Sequence, residues 1–169
     1  MGQAIARRGW QVVYGAGKTG LMGAVADGAL DAGGEVIGVI PTLFNTPVLA
    51  HARLTRLEVV PDMHQRKARL IALADALVAL PGGYGTFEEL FEALTWAQIG
   101  LHSKPIGLLN ARRYYDLLLA TVEHARQEGM IYAEHRSLFV HSEDPDELLN
   151  ALANHQPPAG LEQWLSRES

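Results

Sequence analysis

Residues 76–89 read Ala76-Leu77-Val78-Ala79-Leu80-Pro81-Gly82-Gly83-Tyr84-Gly85-Thr86-Phe87-Glu88-Glu89. The run Ala76–Leu80 is apolar without alternation, the pattern of a strand covered on both faces by helices in a parallel sheet. Pro81 closes the run, and three glycines in the next four residues let the backbone approach another group closely. A helical pattern follows from about Phe87 to Gly100, with the helix opening at Thr86. On it Leu90, Leu94, Ala97 and Leu101 form a stripe that serves a core or a partner equally. A glycine loop between a strand and a helix start offers unpaired N–H groups and the positive end of the helix dipole, a place for an anion such as phosphate.

The same alternation extends in both directions. Short apolar runs at Val12–Tyr14, Val36–Ile40, Leu57–Val60, Ile106–Leu109 and Leu138–His141 alternate with helical patterns. Those patterns cover about Leu21–Ala32, closed by Gly33-Gly34, about Met63–Asp75, about Tyr114–Glu128, closed by Gly129, and Pro145–Asn154, opened by Asp144. The prediction is α/β: a doubly wound, Rossmann-like parallel sheet with helices on both faces. Residues 1–155 are expected to form one nucleotide-binding domain, and residues 156–169, with Pro157-Pro158, a C-terminal tail whose Leu161, Trp164 and Leu165 are candidates to dock. Met1–Arg8 reads as the last turns of a helix that starts without a cap, which points to a segment upstream.

At 169 residues and 48% hydrophobic content the chain suits one globular domain. Net charge is −5, and the basic residues are scattered, so no footprint for a nucleic-acid polymer is visible. The absence of cysteine removes disulfides, thiolate nucleophiles and Cys-based zinc sites. No leading apolar segment resembles a signal peptide or a membrane span, so the cytoplasm is the expected location. The seven histidines show no HExxH or paired spacing, and no metal is expected.

A second glycine loop, Tyr14-Gly15-Ala16-Gly17-Lys18-Thr19-Gly20-Leu21-Met22-Gly23, also follows a strand and opens a helix. A triphosphate P-loop needs a glycine where Val12 stands. Gly15-x-Gly17-x-x-Gly20 fits the dinucleotide fingerprint, but the acidic residue expected at the end of the next strand is absent. Glu35 has the right spacing yet precedes its strand, at the wrong edge of the sheet. A third segment, Asp62-Met63-His64-Gln65-Arg66-Lys67, starts the helix leading into the strand at Ala76. Asp62 can cap that helix, and Arg66 and Lys67 either meet a phosphate or carboxylate at the sheet rim or form a solvated helix face. Glu89 has two readings as well. Thr86-x-x-Glu89 spells a capping box, in which Glu89 bonds back to the Thr86 backbone; with phosphate on the Thr86 N–H and hydroxyl, the same carboxylate faces the ligand.

Taken together, PGGxGTxxE at Pro81–Glu89, Met63-His64-x-Arg66-Lys67, Gly20-Leu21-Met22-Gly23 and Leu94-Thr95-Trp96-Ala97-Gln98 resemble the Lonely Guy family of cytokinin-activating phosphoribohydrolases, long labelled lysine decarboxylases. The resemblance runs from about Arg8 to about Leu149. It implies a Rossmann-like homodimer that cleaves a nucleoside 5′-monophosphate, AMP or an N6-substituted AMP, to free base and ribose 5-phosphate, with no cofactor. By position, Arg66 and Glu89 match the family's essential pair. Gly82, Gly83, Tyr84, Gly85 and Thr86 match its phosphate loop, with Lys67 beside Arg66, and Gly20 and Met22 match the ligand wall of the first loop. The family usually opens on a further strand ending in a Gly-Ser turn, which has no counterpart here. Ala16, Lys18 and Thr19 stand where many members are glycine-rich and uncharged.

The old label fails on chemistry. Pyridoxal catalysis needs a Schiff-base lysine and a partner for the pyridinium, and Lys18, Lys67 and Lys104 lie in no such setting. No G-x-S-x-G motif supports a serine hydrolase. Hydrolysis of a ribosyl bond needs a carboxylate near the positive charge that builds on the sugar, and Glu89 is the candidate; Arg66 holds phosphate, polarises the base or orients the carboxylate. Two other readings stay open on the residues: a nucleotide-binding module without turnover, and an NAD(P)-dependent enzyme.

Overall fold

The computed structural model describes residues 1–158 and 161. The chain divides into two compact units, Met1–Ala74 and Asp75 onward. The first unit runs α1 (Gly2–Arg7), β1 (Val12–Tyr14), α2 (Gly20–Asp31), β2 (Val36–Pro41), β3 (Arg56–Val60) and α3 (Met63–Leu73). Its strands pair in parallel in the order β1-β2-β3, with Val12 opposite Val36 and Ile37 opposite Arg56. Every residue of the central strand β2 is buried, as its unbroken apolar run requires. The core of this unit is Val12, Ala26, Ala29 and Val36. Helix α1 does begin without a side-chain cap. The crossover from β2 to β3 is irregular, with a single 3-10 turn at Thr42–Phe44.

The second unit runs β4 (Leu77–Ala79), α4 (Tyr84–Gln98), β5 (Ile106–Leu109), α5 (Asp116–Gln127), β6 (Phe139–Ser142) and α6 (Pro145–Ala153). Its strands are again parallel and sequential, β4-β5-β6, with Leu77 opposite Ile106 and Ile106 opposite Phe139. The α/β class with parallel strands therefore holds, and each unit has the strand succession of one mononucleotide-binding half. Leu90, Ala93, Ala97, Ile106, Leu108, Tyr115, Leu138 and Phe139 form the core, with Leu94 and Leu161 packed against it. The α4 stripe is thus core at Leu90, Leu94 and Ala97, whereas Leu101 is 65% exposed. Trp164 and Leu165 lie outside the described residues.

Caps fall where the sequence places them. The Asp62 carboxylate accepts from Gln65 N at 2.9 Å, a bond that holds its carboxyl below the usual carboxylate range. Asp144 accepts from Asp146 N and Glu147 N, with Pro145 in the first turn of α6. Gly33 and Gly129 both have φ of 77° and follow the ends of α2 and α5.

Two helix starts differ from the expectation. Helix α4 begins at Tyr84, not at Thr86, because Gly83 is extended (φ −94°, ψ −151°) and serves as N-cap. The first ladder bond runs from Phe87 N to Gly83 O at 3.0 Å. The N–H groups before it need no helical partner, so Tyr84-Gly85 enters a first turn despite the low helix propensity of glycine. Helix α5 begins at Asp116 rather than Tyr114: Tyr115 is its N-cap (φ −92°, ψ 5°), held by the Asn110 side chain, and the two residues before Tyr114, Arg112 and Arg113, are left-handed with φ of 53° and 62°.

Tyr115 ties the second core together. It is fully buried, and its hydroxyl donates to Leu80 O at 2.5 Å. Burial, with Tyr114 adding to it, pushes the phenol up to about 12. The phenol of an unfolded chain ionises near 10, so the stability from this group is complete below about pH 10 and drains away as pH rises toward 12. Tyr115→Phe is expected to cost about 1 kcal/mol at neutral pH, roughly 2–4 °C in Tm, and to flatten the loss of Tm between pH 10 and 12. Thermal melts across that range check it; an unchanged alkaline slope refutes the role of the buried phenol.

Candidate functional site

In the second unit the loop Pro81–Gly83 leaves the carboxyl end of β4 and enters α4. Its glycines are not equivalent. A Cβ at Gly82 would fall 2.1 Å from Thr86 Oγ1, so glycine is needed there for the Thr86 side chain to fold back over the loop. A Cβ at Gly83 or Gly85 would meet nothing within 4 Å, and neither residue has a positive φ. The fold does not require glycine at these two positions, and their bareness leaves open space beside the N–H groups of the first helical turn. Tyr84 between them is 95% exposed.

The loop is held from its carbonyl side. Tyr115 OH donates to Leu80 O at 2.5 Å and Tyr114 OH to Gly82 O at 2.6 Å. The two rings meet edge to face at 5.1 Å between centroids, and Phe87 of α4 stands edge-on to Tyr115 at 6.4 Å. Buried Asn110, just past β5, fixes the start of this tyrosine pair: its Oδ1 accepts from Tyr115 N at 2.6 Å and its Nδ2 donates to Asp116 at 2.9 Å. That bond, with Arg113 adding to it, holds the Asp116 carboxyl below the usual range. Tyr114, Tyr115 and Asn110 were not among the sequence candidates. The sequence shows only two adjacent tyrosines past the end of β5, and the carbonyls they reach lie 32 and 35 residues away.

With Gly83 as N-cap, Thr86 is the third residue of α4 and Glu89 the sixth. A capping box needs its threonine at the N-cap itself, so Thr86-x-x-Glu89 does not form one. Glu89 lies in the second turn and is half-buried, whereas Glu88 is exposed.

In the first unit Arg66, on the first turn of α3, reaches the loop after β1. A Cβ on Gly15 would fall 2.1 Å from Arg66 Nη2, so the guanidinium lies on bare backbone. Its Nη1 also contacts Met63 Sδ at 3.5 Å. Lys67 is buried, so this pair is no solvated helix face. Gly20 has φ of 60°, and Met22 folds its thioether against Gly17, where a Cβ would meet Cε at 2.9 Å. The irregular crossover straps this loop down: Lys18 N donates to Leu49 O at 3.1 Å, His51 N to Ala16 O at 2.9 Å, and Lys18 Nζ to Pro47 O at 2.8 Å. Ala16 is fully buried with φ of 61°. His51, itself buried, accepts from Arg53 N on Nδ1, so its Nε2 carries the proton it gives to Asp27 at 3.2 Å. Glu35 does sit just before β2, away from the loop's end of the sheet. Among the described residues no cluster of His, Asp and Glu suits a metal ion.

The family model described as "Possible lysine decarboxylase" matches residues 22–152. A cytokinin riboside 5′-monophosphate phosphoribohydrolase of Rhodococcoides fascians is 52% identical over 153 residues, covering 90% of this chain and 77% of that protein. A probable enzyme of the same name from Oryza sativa subsp. japonica is 44% identical across 97% of this chain and 75% of its own length. One from Arabidopsis thaliana is 43% identical across 93% and 73%. Two solved structures share the fold. The molybdenum cofactor binding protein of Rippkaea orientalis has a TM-score of 0.67 at 24% identity, covering 90% of this chain and 83% of that one. The molybdenum cofactor carrier protein of Chlamydomonas reinhardtii has a TM-score of 0.61 at 23% identity, covering 98% and 84%. At such identity these structures speak for the fold alone. The sequence relatives and the family model, spanning most of both units, show that the chain belongs to the Lonely Guy family.

Proposed function

We propose that this protein hydrolyses the N-glycosidic bond of a nucleoside 5′-monophosphate, AMP or an N6-substituted AMP of the cytokinin type, to free base and ribose 5-phosphate. Water supplies the oxygen to C1′, the C1′–N bond breaks, and the base leaves with a proton. As positive charge builds on the sugar, a carboxylate stabilises it or orients the water, which is the part assigned to Glu89. Arg66 supplies positive charge for the phosphate or the leaving base. Gly82, Gly83, Tyr84, Gly85 and Thr86 receive the 5′-phosphate, whose binding energy fixes the sugar for reaction. Gly20, Met22 and Lys67 complete the assignment as substrate contacts.

The observation that carries this reading is the early start of α4, which puts Glu89 in the second turn, where it forms no capping box, and places in the N-cap and first turn two glycines whose Cβ positions are empty. It also weighs against a dinucleotide at the first loop. There Lys18 N is bonded to Leu49 O and Gly17 pairs with Ala50, so the backbone that a pyrophosphate would use is engaged by the protein itself. The family further supports a homodimer, for which the exposed Phe91 and Leu101 on and after α4 offer apolar surface. Among the described residues no helix is long and apolar enough to cross a membrane; the proposed location is the cytoplasm.

Incubation with AMP and N6-substituted AMP is expected to release base and ribose 5-phosphate in equal amounts, and Glu89→Gln to lower kcat by about 100-fold or more. No release, or a Glu89→Gln protein as fast as wild type, refutes the assignment. Binding of AMP without release picks out a nucleotide-binding module instead. Gly85→Ala separates fold from function: the alanine is expected to raise stability by about 0.4–1 kcal/mol, seen as a higher Tm, and to raise KM for AMP by at least about ten-fold. A Gly85→Ala protein with wild-type KM removes this loop from the phosphate site.

A further inference from the structure

We propose that Tyr114 is a positioning residue that locks the Gly82–Gly83 peptide plane and thereby aims the Gly83 N–H into the anion cradle; the role rests on the functional reading above. The Gly82–Gly83 peptide bond is trans, so the Gly82 carbonyl and the Gly83 N–H point in opposite directions across one rigid plane. Tyr114 OH grips that carbonyl at 2.6 Å. The N–H is therefore turned away from the tyrosine, and a Cβ on Gly83 would meet nothing within 4 Å, so the space beside this residue is open.

Two adjacent glycines need such a lock. Without side chains the torsions on either side of their shared peptide are free to rotate in concert, which reverses the plane and replaces a donor with a carbonyl oxygen. An oxygen facing a phosphate repels it, so each reversed molecule is lost to binding, and apparent affinity falls with the fraction correctly set. Tyr114 can hold the plane because its own backbone is held. It leaves the left-handed turn at Arg112 and Arg113, its neighbour Tyr115 is tied to Asn110 and Leu80, and the two rings support each other edge to face. Left-handed backbone at two consecutive arginines is costly, which fits a turn shaped to present a side chain rather than to minimise its own energy. Tyr114 itself is 47% exposed, so the hydroxyl contributes little to the core.

The test is Tyr114→Phe, which keeps the ring and removes the grip. KM for AMP and the inhibition constant of ribose 5-phosphate are expected to rise about ten-fold, with kcat within about two-fold and Tm within about 2 °C of wild type. Affinity for adenosine, which has no phosphate, is expected to stay unchanged; a general loosening of the site would weaken both ligands alike. In 15N relaxation dispersion the Gly83 amide gains exchange in the variant and is quiet in wild type. A wild-type protein that neither binds nor cleaves AMP overturns the functional reading and this role with it. Normal wild-type activity with an unchanged KM in Tyr114→Phe, or equal losses for AMP and adenosine, overturns the role alone.

Discussion

Two hydroxyls from consecutive residues, Tyr114 and Tyr115, grip the carbonyls of Gly82 and Leu80 on either side of Pro81, and the loop between β4 and α4 depends on that grip. A loop that binds an anion through its backbone must keep its N–H groups in hand while its carbonyls look elsewhere. A Cβ at Gly83 or Gly85 would take up the open space beside the loop. The constraint is met from outside, by phenols that reach the carbonyls from the turn after the neighbouring strand β5. Asn110 closes the arrangement by spending its amide on the Tyr115 N–H and on Asp116.

The three glycines of the loop then divide between fold and function. Gly82 is glycine because Thr86 Oγ1 occupies the place of its Cβ. Gly83 and Gly85 have ordinary backbone angles and empty surroundings, so alanine fits both within the protein. Gly83 is the N-cap, a position that suits glycine better than alanine, but Gly85 lies inside the first turn, where glycine is worse than alanine by up to about 1 kcal/mol and no contact within the protein accounts for it.

Much of this was legible in the sequence. Unbroken apolar runs gave every strand to within about a residue of its observed ends, and Asp62, Gly33, Gly129 and the Asp144-Pro145 pair marked helix ends for reasons that are local and chemical. The α4 start was misread because Tyr84-Gly85 looks like loop by propensity, and propensity yields when the backbone groups concerned need no partner. Tyr114 and Tyr115 were invisible for another reason: the bonds they make span 32 and 35 residues and follow from the parallel pairing of β4 with β5, which no local pattern encodes. Lys67 looked like one half of a surface pair and proved buried, a matter of how α3 is rotated and not of which residues it contains.

The two glycine loops, alike in sequence context, are fastened in opposite ways, and the difference favours the second as the place proposed for an anion. The loop after β1 is fastened through its own backbone: Lys18 N and Ala16 O are bonded to Leu49 and His51 of the irregular crossover, and Met22 covers Gly17. Each such bond removes a donor or acceptor from any ligand. What remains is a stiff ledge whose bare Gly15 carries the Arg66 guanidinium, a platform for a side chain. The loop after β4 is fastened by side-chain hydroxyls acting on carbonyls alone, and its donors stay available. A phosphate placed at the first loop would have to displace bonds the fold has already made, whereas at the second it completes a helix start that the fold leaves open.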